Sequence, residues 1–168
     1  DGTGVAYSDT IHISVFDPTA IYQANFLKNI YVNMEHSYIG DIEIRLICPN
    51  NQSVVLKEYP GALGTHLGEP VDPPVAPVPL NPGVGYDYIF PTSPAIYNTM
   101  VNESGKYQHN YTDVLGNNYL NEFYLPAGEY TSFQNINTQL AGCPLNGNCI
   151  IRVTDNVSID NGYIFRWG

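Results

Sequence analysis

The feature that most constrains this chain is a pair of alternating segments on either side of a short turn. Ile30, Val32 and Met34 alternate with Tyr31, Asn33 and Glu35, and Ile42, Ile44 and Leu46 alternate with Asp41, Glu43 and Arg45. Successive side chains of a strand point to opposite faces, so a period of two reads as two half-buried strands. Ser37-Tyr38-Ile39-Gly40 between them predicts a hairpin turn. Cys48-Pro49-Asn50-Asn51 is another turn, and Ser53 to Lys57 reads as a third strand. The expectation is a meander.

Strand signals recur at both ends. Thr10 to Phe16 alternates, with Ile11, Ile13 and Val15 on one face and His12 and Ser14 on the other. Cys149, Ile151 and Val153 alternate with Ile150, Arg152 and Thr154, and Tyr163 to Trp167 is expected to pair back after a turn from Asp155 to Gly162. Nine of the thirteen prolines fall between Pro60 and Pro94, with five glycines among them. Proline lacks the ladder donor and glycine weakens the ladder, so this stretch is expected to hold no central strand. Tyr59, Leu63, Leu67, Tyr86, Tyr88, Ile89 and Phe90 are too apolar for a solvated tether. The reading is an ordered excursion, about residues 60–140, packed on a sandwich. Within it, Tyr119 to Tyr124 has weak strand character and Gln134 to Leu140 suits a turn or short helix. No helical period runs over three turns. The fold class is therefore all-β, an antiparallel β-sandwich of jelly-roll type, in a single domain spanning 1–168.

Charge narrows the partners. With 6 basic residues against 16 acidic ones, the formal net charge is -10, which argues against nucleic acid or an anionic lipid surface. No apolar run approaches the roughly 20 residues of a membrane helix. The start at Asp1-Gly2-Thr3-Gly4 and the stop at Trp167-Gly168 make the chain read as an excerpt of a larger protein.

Residues 30–50, IYVNMEHSYIGDIEIRLICPN, resemble the signature of the proprotein convertase P domain, with His36, Gly40, Asp41, Ile44, Leu46 and Pro49 at its positions. The closing run from Gly147 through Asp155 and Asp160-Asn161-Gly162 to Trp167 is similar to the end of that family's pattern. The smaller strings LGEP, GYDY and GCPLNG resemble a version found in large secreted surface proteins of gliding-type bacteria. Cys149 stands where the family has tryptophan, and Asn51 where its turn has glycine. The resemblance implies a galactose-binding-like jelly roll that is not itself catalytic. In convertases it packs beside a subtilisin-like protease and supports its folding; in the bacterial proteins it is one module among many.

The residues carry no enzymatic pattern that would compete with this. The best nucleophilic set is His36, Ser37 or Ser53, and Asp41, and no serine sits in a Gly-x-Ser-x-Gly elbow. His36 continues the inward face of Ile30, Val32 and Met34, so a hydrogen-bonded structural histidine is expected there. His12, His36, His66 and His109 lie in separate segments without zinc spacing. Calcium is the candidate cofactor, because loops of secreted sandwiches supply the six to eight oxygens it needs. Asp155 and Asp160 in one loop, with Asp41 after a turn, form one candidate set, and Glu69 and Asp72 a second. The competing reading is turn chemistry, since Asp and Asn bond their own backbone.

Three cysteines point to an oxidising compartment, secreted or at the cell surface. Cys48 and Cys143 match cysteines of the resembled family, which favours that pair; a local Cys143–Cys149 bridge is the competitor, and Cys149 is otherwise expected as a small buried apolar group. Eight of the fourteen tyrosines lie between Tyr86 and Tyr130, serving either as a packed lid or as a platform for sugar rings. Tyr86, Asp87 and Tyr88 are the expected rim of a binding surface. The functional expectation is a non-catalytic interaction or adhesion module whose partners are neighbouring domains, a glycan or a surface protein. An accessory domain of a secreted subtilisin-like protease and a carbohydrate-binding module are the alternatives.

Overall fold

The computed structural model describes residues 5–62, 64–71, 81–157 and 160–168. In chain order the strands are β1 (Val5–Ile13), β2 (Asn29–His36), β3 (Ile42–Ile47), β4 (Ser53–Lys57), β5 (His66–Leu67) and β6 (Tyr86–Pro91). They continue as β7 (Tyr107–Thr112), β8 (Asn118–Leu125), β9 (Gly128–Glu129), β10 (Gly147–Asp155) and β11 (Gly162–Trp167). Two short helices, α1 (Met100–Glu103) and α2 (Ile136–Gln139), are capped by Thr99 and Asn135 side chains.

The strands form two sheets, an all-β sandwich. The first sheet runs β1-β10-β3-β4; the second runs β7-β8-β5-β2-β6-β9, with β11 also paired to β2. Pairing is antiparallel except for the short parallel contacts β5–β8 and β6–β9. The inward sets expected from alternation are buried: Ile30, Val32 and Met34 from the second sheet meet Ile42, Ile44 and Leu46 from the first. Val54, Leu56, Phe90, Leu125, Ile151 and Val153 complete the centre of the core.

The hairpin expected from β2 and β3 does not form. A 3-10 turn at Ile39–Asp41 carries the chain from the second sheet to the first, so the two strands face each other across the core. Alternation identifies which side chains go inward, but it does not say which strand lies alongside. Ile39 is itself buried and donates its N–H to Thr65 at 3.0 Å, which pins the crossover. A Cβ on Gly40 would strike the Tyr38 ring and the Ala62 carbonyl, so glycine is required by close approach. The β3–β4 half of the meander forms as expected.

The proline-rich stretch does hold a central strand. β6 pairs with β2 from Asn29–Pro91 to Met34–Tyr86, and Tyr88 and Phe90 are core residues. The exclusion failed because the prolines cluster before Tyr86, while Pro91 falls at the strand's end, where a missing donor is tolerated. β11 also departs from expectation: it pairs with β2 in the second sheet, not with the preceding β10. The link is fixed by Ser37, whose N–H donates to Asn161 at 2.9 Å. Strand β7 carries no alternating apolar signal; it is held to β8 by stacked rings, His109 on Tyr124 at 3.8 Å and Tyr111 on Tyr119 at 4.5 Å.

Two further expectations fail in the first sheet. The strand near the start covers Val5–Ile13, and its inward-facing Tyr7 and Ile11 stay exposed because β1 is the sheet's edge. Cys149 is half-buried, since its register partner on that edge is the exposed Ile11.

Candidate functional site

The crossover after β2 and the loop after β10 meet at one corner of the sandwich. His36, at the end of β2, is buried and accepts the Tyr38 N–H at Nδ1, 3.1 Å away. That bond leaves the ring proton on Nε2, which lies 3.9 Å from Asp155 Oδ2. The Ser37 hydroxyl accepts from the Asn161 N–H at 3.2 Å and lies 3.5 Å from Asp160 Oδ1. The Asp41 carbonyl accepts from both the backbone and the side chain of Asn156, each at 2.9 Å. Asp155 Oδ1 takes the Val157 N–H at 3.1 Å, an Asx turn of the kind the residue types foretell.

Three carboxylates converge here, as the first candidate set required. Asp41 is buried and Asp155 nearly so. Burial raises the Asp160 carboxyl above its ordinary range, and a hydrogen bond with Asp41 and the charges of Asp41 and Asp155 push it further, against the pull of His36. Like charges this close oppose the ionised form of Asp160, which is why its carboxyl rises. Among the described residues, no group of three or more His, Cys, Asp or Glu side chains is placed to hold a metal ion. The corner as it lies is a group of neighbouring acidic side chains flanked by turn chemistry.

Serine chemistry is not assembled either. The Ser37 hydroxyl is engaged with Asn161 and Asp160, and the Ser53 hydroxyl accepts from Arg45 Nη1 at 3.1 Å, on the other side of β3. His36 spends its Nδ1 lone pair on the backbone of its own turn. A general base needs that reach toward a nucleophile, and here it serves the crossover.

Of the second candidate metal set, only Glu69 lies among the described residues. Glu69 Oε1 accepts from the Tyr86 hydroxyl at 2.9 Å, and Asp72 lies outside the described residues. Tyr86, Asp87 and Tyr88 are adjacent on β6 but face different surroundings. Tyr88 is 0% exposed; its hydroxyl donates to the Leu125 carbonyl and accepts from the Gly68 N–H, so it cannot form a ligand rim. Strand alternation sends Tyr88 into the core with Tyr86, whose phenol is raised by burial and by the bond to Glu69. Asp87 alone points outward. Its carboxylate is held below the ordinary range first by Asn33 and then by Arg166, which reaches both oxygens at 3.1 and 3.0 Å.

Cys48 and Cys143 are joined by a disulfide across a sequence separation of 95, and Cys149 is free. The bridge ties the end of β3 to the turn before β10, next to Tyr22, whose N–H donates to the Cys143 carbonyl.

Lys57 and Glu35 are among the buried ionisable groups that were not foreseen. Lys57 is almost fully buried, with its ammonium on the Ile42 and Gly61 carbonyls. Glu35 is fully buried, and burial pushes its carboxyl up to about 8. The N–H groups of Gly83 and Tyr163 lean toward Glu35 without completing a hydrogen bond. Alternation placed Glu35 on the outward face; what covers it is backbone at Gly68 and Gly83 together with β11, which the local pattern cannot announce. Gly68, in the left-handed region at φ 62°, packs directly on the Glu35 Cβ.

Residues 28–66 match the family model of the proprotein convertase P-domain. That span is β2, the crossover, β3, β4 and the start of β5, so the match covers the buried centre of both sheets and a minority of the chain. No curated protein and no solved structure matches the chain.

Proposed function

We propose that this domain is a non-catalytic interaction and support module of a secreted or surface protein, acting through contact with neighbouring domains of its own polypeptide. The observation that carries this reading is the P-domain match over residues 28–66, on the segment that forms the centre of the sandwich. P domains are accessory domains of secreted proteases and related proteins. The chemistry at the matched residues supports an accessory role: in the family's signature, His36 accepts from Tyr38 of the crossover and the Asp41 carbonyl takes both donors of Asn156, so they tie the crossover to the loop after β10. The Cys48–Cys143 bridge supports residence in an oxidising compartment, where such bonds persist.

Two settings share this reading. One is a multi-module surface protein in which the domain serves adhesion; the other is a secreted subtilisin-like protease whose catalytic domain it steadies. The test is deletion of this domain from the polypeptide that carries it. Neighbouring domains should lose thermal stability or secreted yield while any chemistry they perform keeps its rate per folded molecule. Neighbours with unchanged melting temperature and yield would refute the support role. A peptide- or glycoside-hydrolysing activity of the purified domain that disappears in His36→Ala would refute the non-catalytic one.

A further inference from the structure

The first sheet ends on β1, and among the described residues no strand pairs with its second edge. Nine residues make a long free edge. Proteins blunt such edges with lysine, proline or a bulge, because an unpaired row of N–H and C=O groups templates a further strand. VAYSDTIHI contains neither lysine nor proline, and its register with β10 runs unbroken from Val5–Asp155 to Ile13–Gly147.

The side of β1 that faces the second sheet is equally open. Tyr7, Asp9 and Ile11 pair with Val153, Ile151 and Cys149, so they lie on the core side, yet Tyr7 is 47% and Ile11 37% exposed. One contact closes the flank midway: Trp167 Nε1–H donates to Asp9 Oδ2 at 2.8 Å. To one side of it lies a small hollow of about 130 Å³ bordered by Tyr7, Met34, Val153 and Ile164. To the other lies a larger one of about 550 Å³, walled by Ile13, Phe16, Phe26, Leu145 and Cys149. Phe16 and Phe26 are each about half exposed there, an apolar area of the kind that marks an interaction site.

Charge selects the occupant. Of the inward-facing Tyr7, Asp9, Ile11 and Ile13, the one ionised group is a carboxylate; Arg152, the nearest cation on β10, sits on the opposite face against Ser8. The chain as a whole carries -10, so a second copy is repelled and a cationic partner attracted. We infer that β1 receives an extended, basic-apolar segment of a partner protein as an added antiparallel strand. Its inward residues are apolar opposite Ile13, Ile11 and Tyr7 and a lysine or arginine opposite Asp9. Backbone hydrogen bonds supply affinity in strand addition, and pockets for alternate side chains supply specificity. The inference rests on the reading of the domain as an interaction module and gives that module its contact face.

The probe is the end-blocked peptide Thr-Phe-Thr-Val-Thr-Lys-Thr-Val-Thr, titrated into the ¹⁵N-labelled domain and followed by amide shifts and hydrogen exchange. Amides of β1 should gain protection. A peptide with glutamate in place of lysine should bind roughly tenfold more weakly, the scale of a close charge pair. Asp9→Lys should reverse that preference, and Asp9→Asn should abolish it while leaving a folded spectrum. Protection located away from β1, or lysine and glutamate peptides bound within about twofold of each other, would overturn the proposal. So would a concentration-dependent dimer that protects β1 without peptide, since a second copy would then hold the edge. These outcomes concern β1 alone; the support role stands or falls separately on the deletion experiment.

Discussion

The ammonium of Lys57 donates to the carbonyl of Ile42 at 2.8 Å, at a position 1% exposed. Ile42 opens β3 directly after the crossover, and the same ammonium reaches Gly61 at 3.1 Å, just beyond β4. Lysine is therefore a clasp holding the crossover to the chain that leaves the first sheet.

Burial sets the pH behaviour of that clasp. It holds the Lys57 amine down at about 8, from an ordinary 10.5, against the pull of Glu58, Asp41 and Glu43. Between those two values the unfolded chain binds a proton that the folded chain lacks, so this group makes stability rise with pH across that window. Lys57→Met leaves two carbonyls without their donor and should cost about 1–3 kcal/mol near neutrality. Urea unfolding from pH 7 to 10.5 should show the difference between variant and parent growing as pH rises. A constant difference would show that the amine titrates normally.

Glu35 works in the opposite direction. Its folded carboxyl titrates at about 8 and its ordinary value is 4.5, so the folded state binds the extra proton between them. The stability it contributes is fully present below 4.5 and is lost as pH rises through 8. Glu35→Gln keeps the shape without the charge. It should match the parent at low pH and exceed it by roughly 2–4 kcal/mol above pH 8. Equal stability of the two at pH 9 would mean that the carboxylate is hydrated in the folded state.

These two residues also mark where the sequence stops being legible. Alternation gave the right inward faces for β2, β3 and β10, because burial of one face is a local pattern that one strand carries alone. Partnership between strands is not local. The same pattern could not tell a hairpin from a crossover at Tyr38–Asp41, nor send β11 to β2 across the sandwich. At the acidic corner, Asp41, Asp155 and Asp160 were foreseen as a group because carboxylates in and beside turns supply oxygen ligands. Their effect on one another was not, since the rise of the Asp160 carboxyl depends on how near Asp41 and Asp155 lie in space. Lys57 and Glu35 were missed for a related reason: each lies where alternation expects solvent, and chain from elsewhere covers it. Tyr88 failed in reverse, a core residue taken for a rim residue because proline density around it masked its strand.

The corner carries its own prediction. Asp160 is raised by burial and by Asp41, so its stabilising proton is present below the ordinary carboxylate range and lost as pH climbs through its folded value. Asp160→Asn supplies a permanent donor to Asp41 and should raise the melting temperature at pH 7 while narrowing the difference at pH 4. Chelator and millimolar calcium test the corner for cation binding, because a ligand that binds only the native state stabilises it; an unchanged melting temperature leaves turn chemistry as the sufficient account. A calcium-dependent rise that vanishes in Asp160→Asn would instead make this corner a cation site.

The disulfide and the remaining thiol separate cleanly in a redox experiment. Non-reducing intact mass should show one bridge and one free thiol, with mapping that joins Cys48 to Cys143 and leaves Cys149 alone. Cys143→Ser opens a closed loop of 95 residues and should cost about 2–5 kcal/mol, since a bridge that long removes much freedom from the unfolded chain. Cys149 should behave differently. Burial raises its thiol above the ordinary value, which lowers the thiolate fraction at pH 8. Iodoacetamide should therefore modify native Cys149 several-fold more slowly than the same residue in urea, and Cys149→Ser should leave the bridge intact. Fast alkylation of the native thiol would show that the hollow beside Phe16 and Phe26 admits water freely.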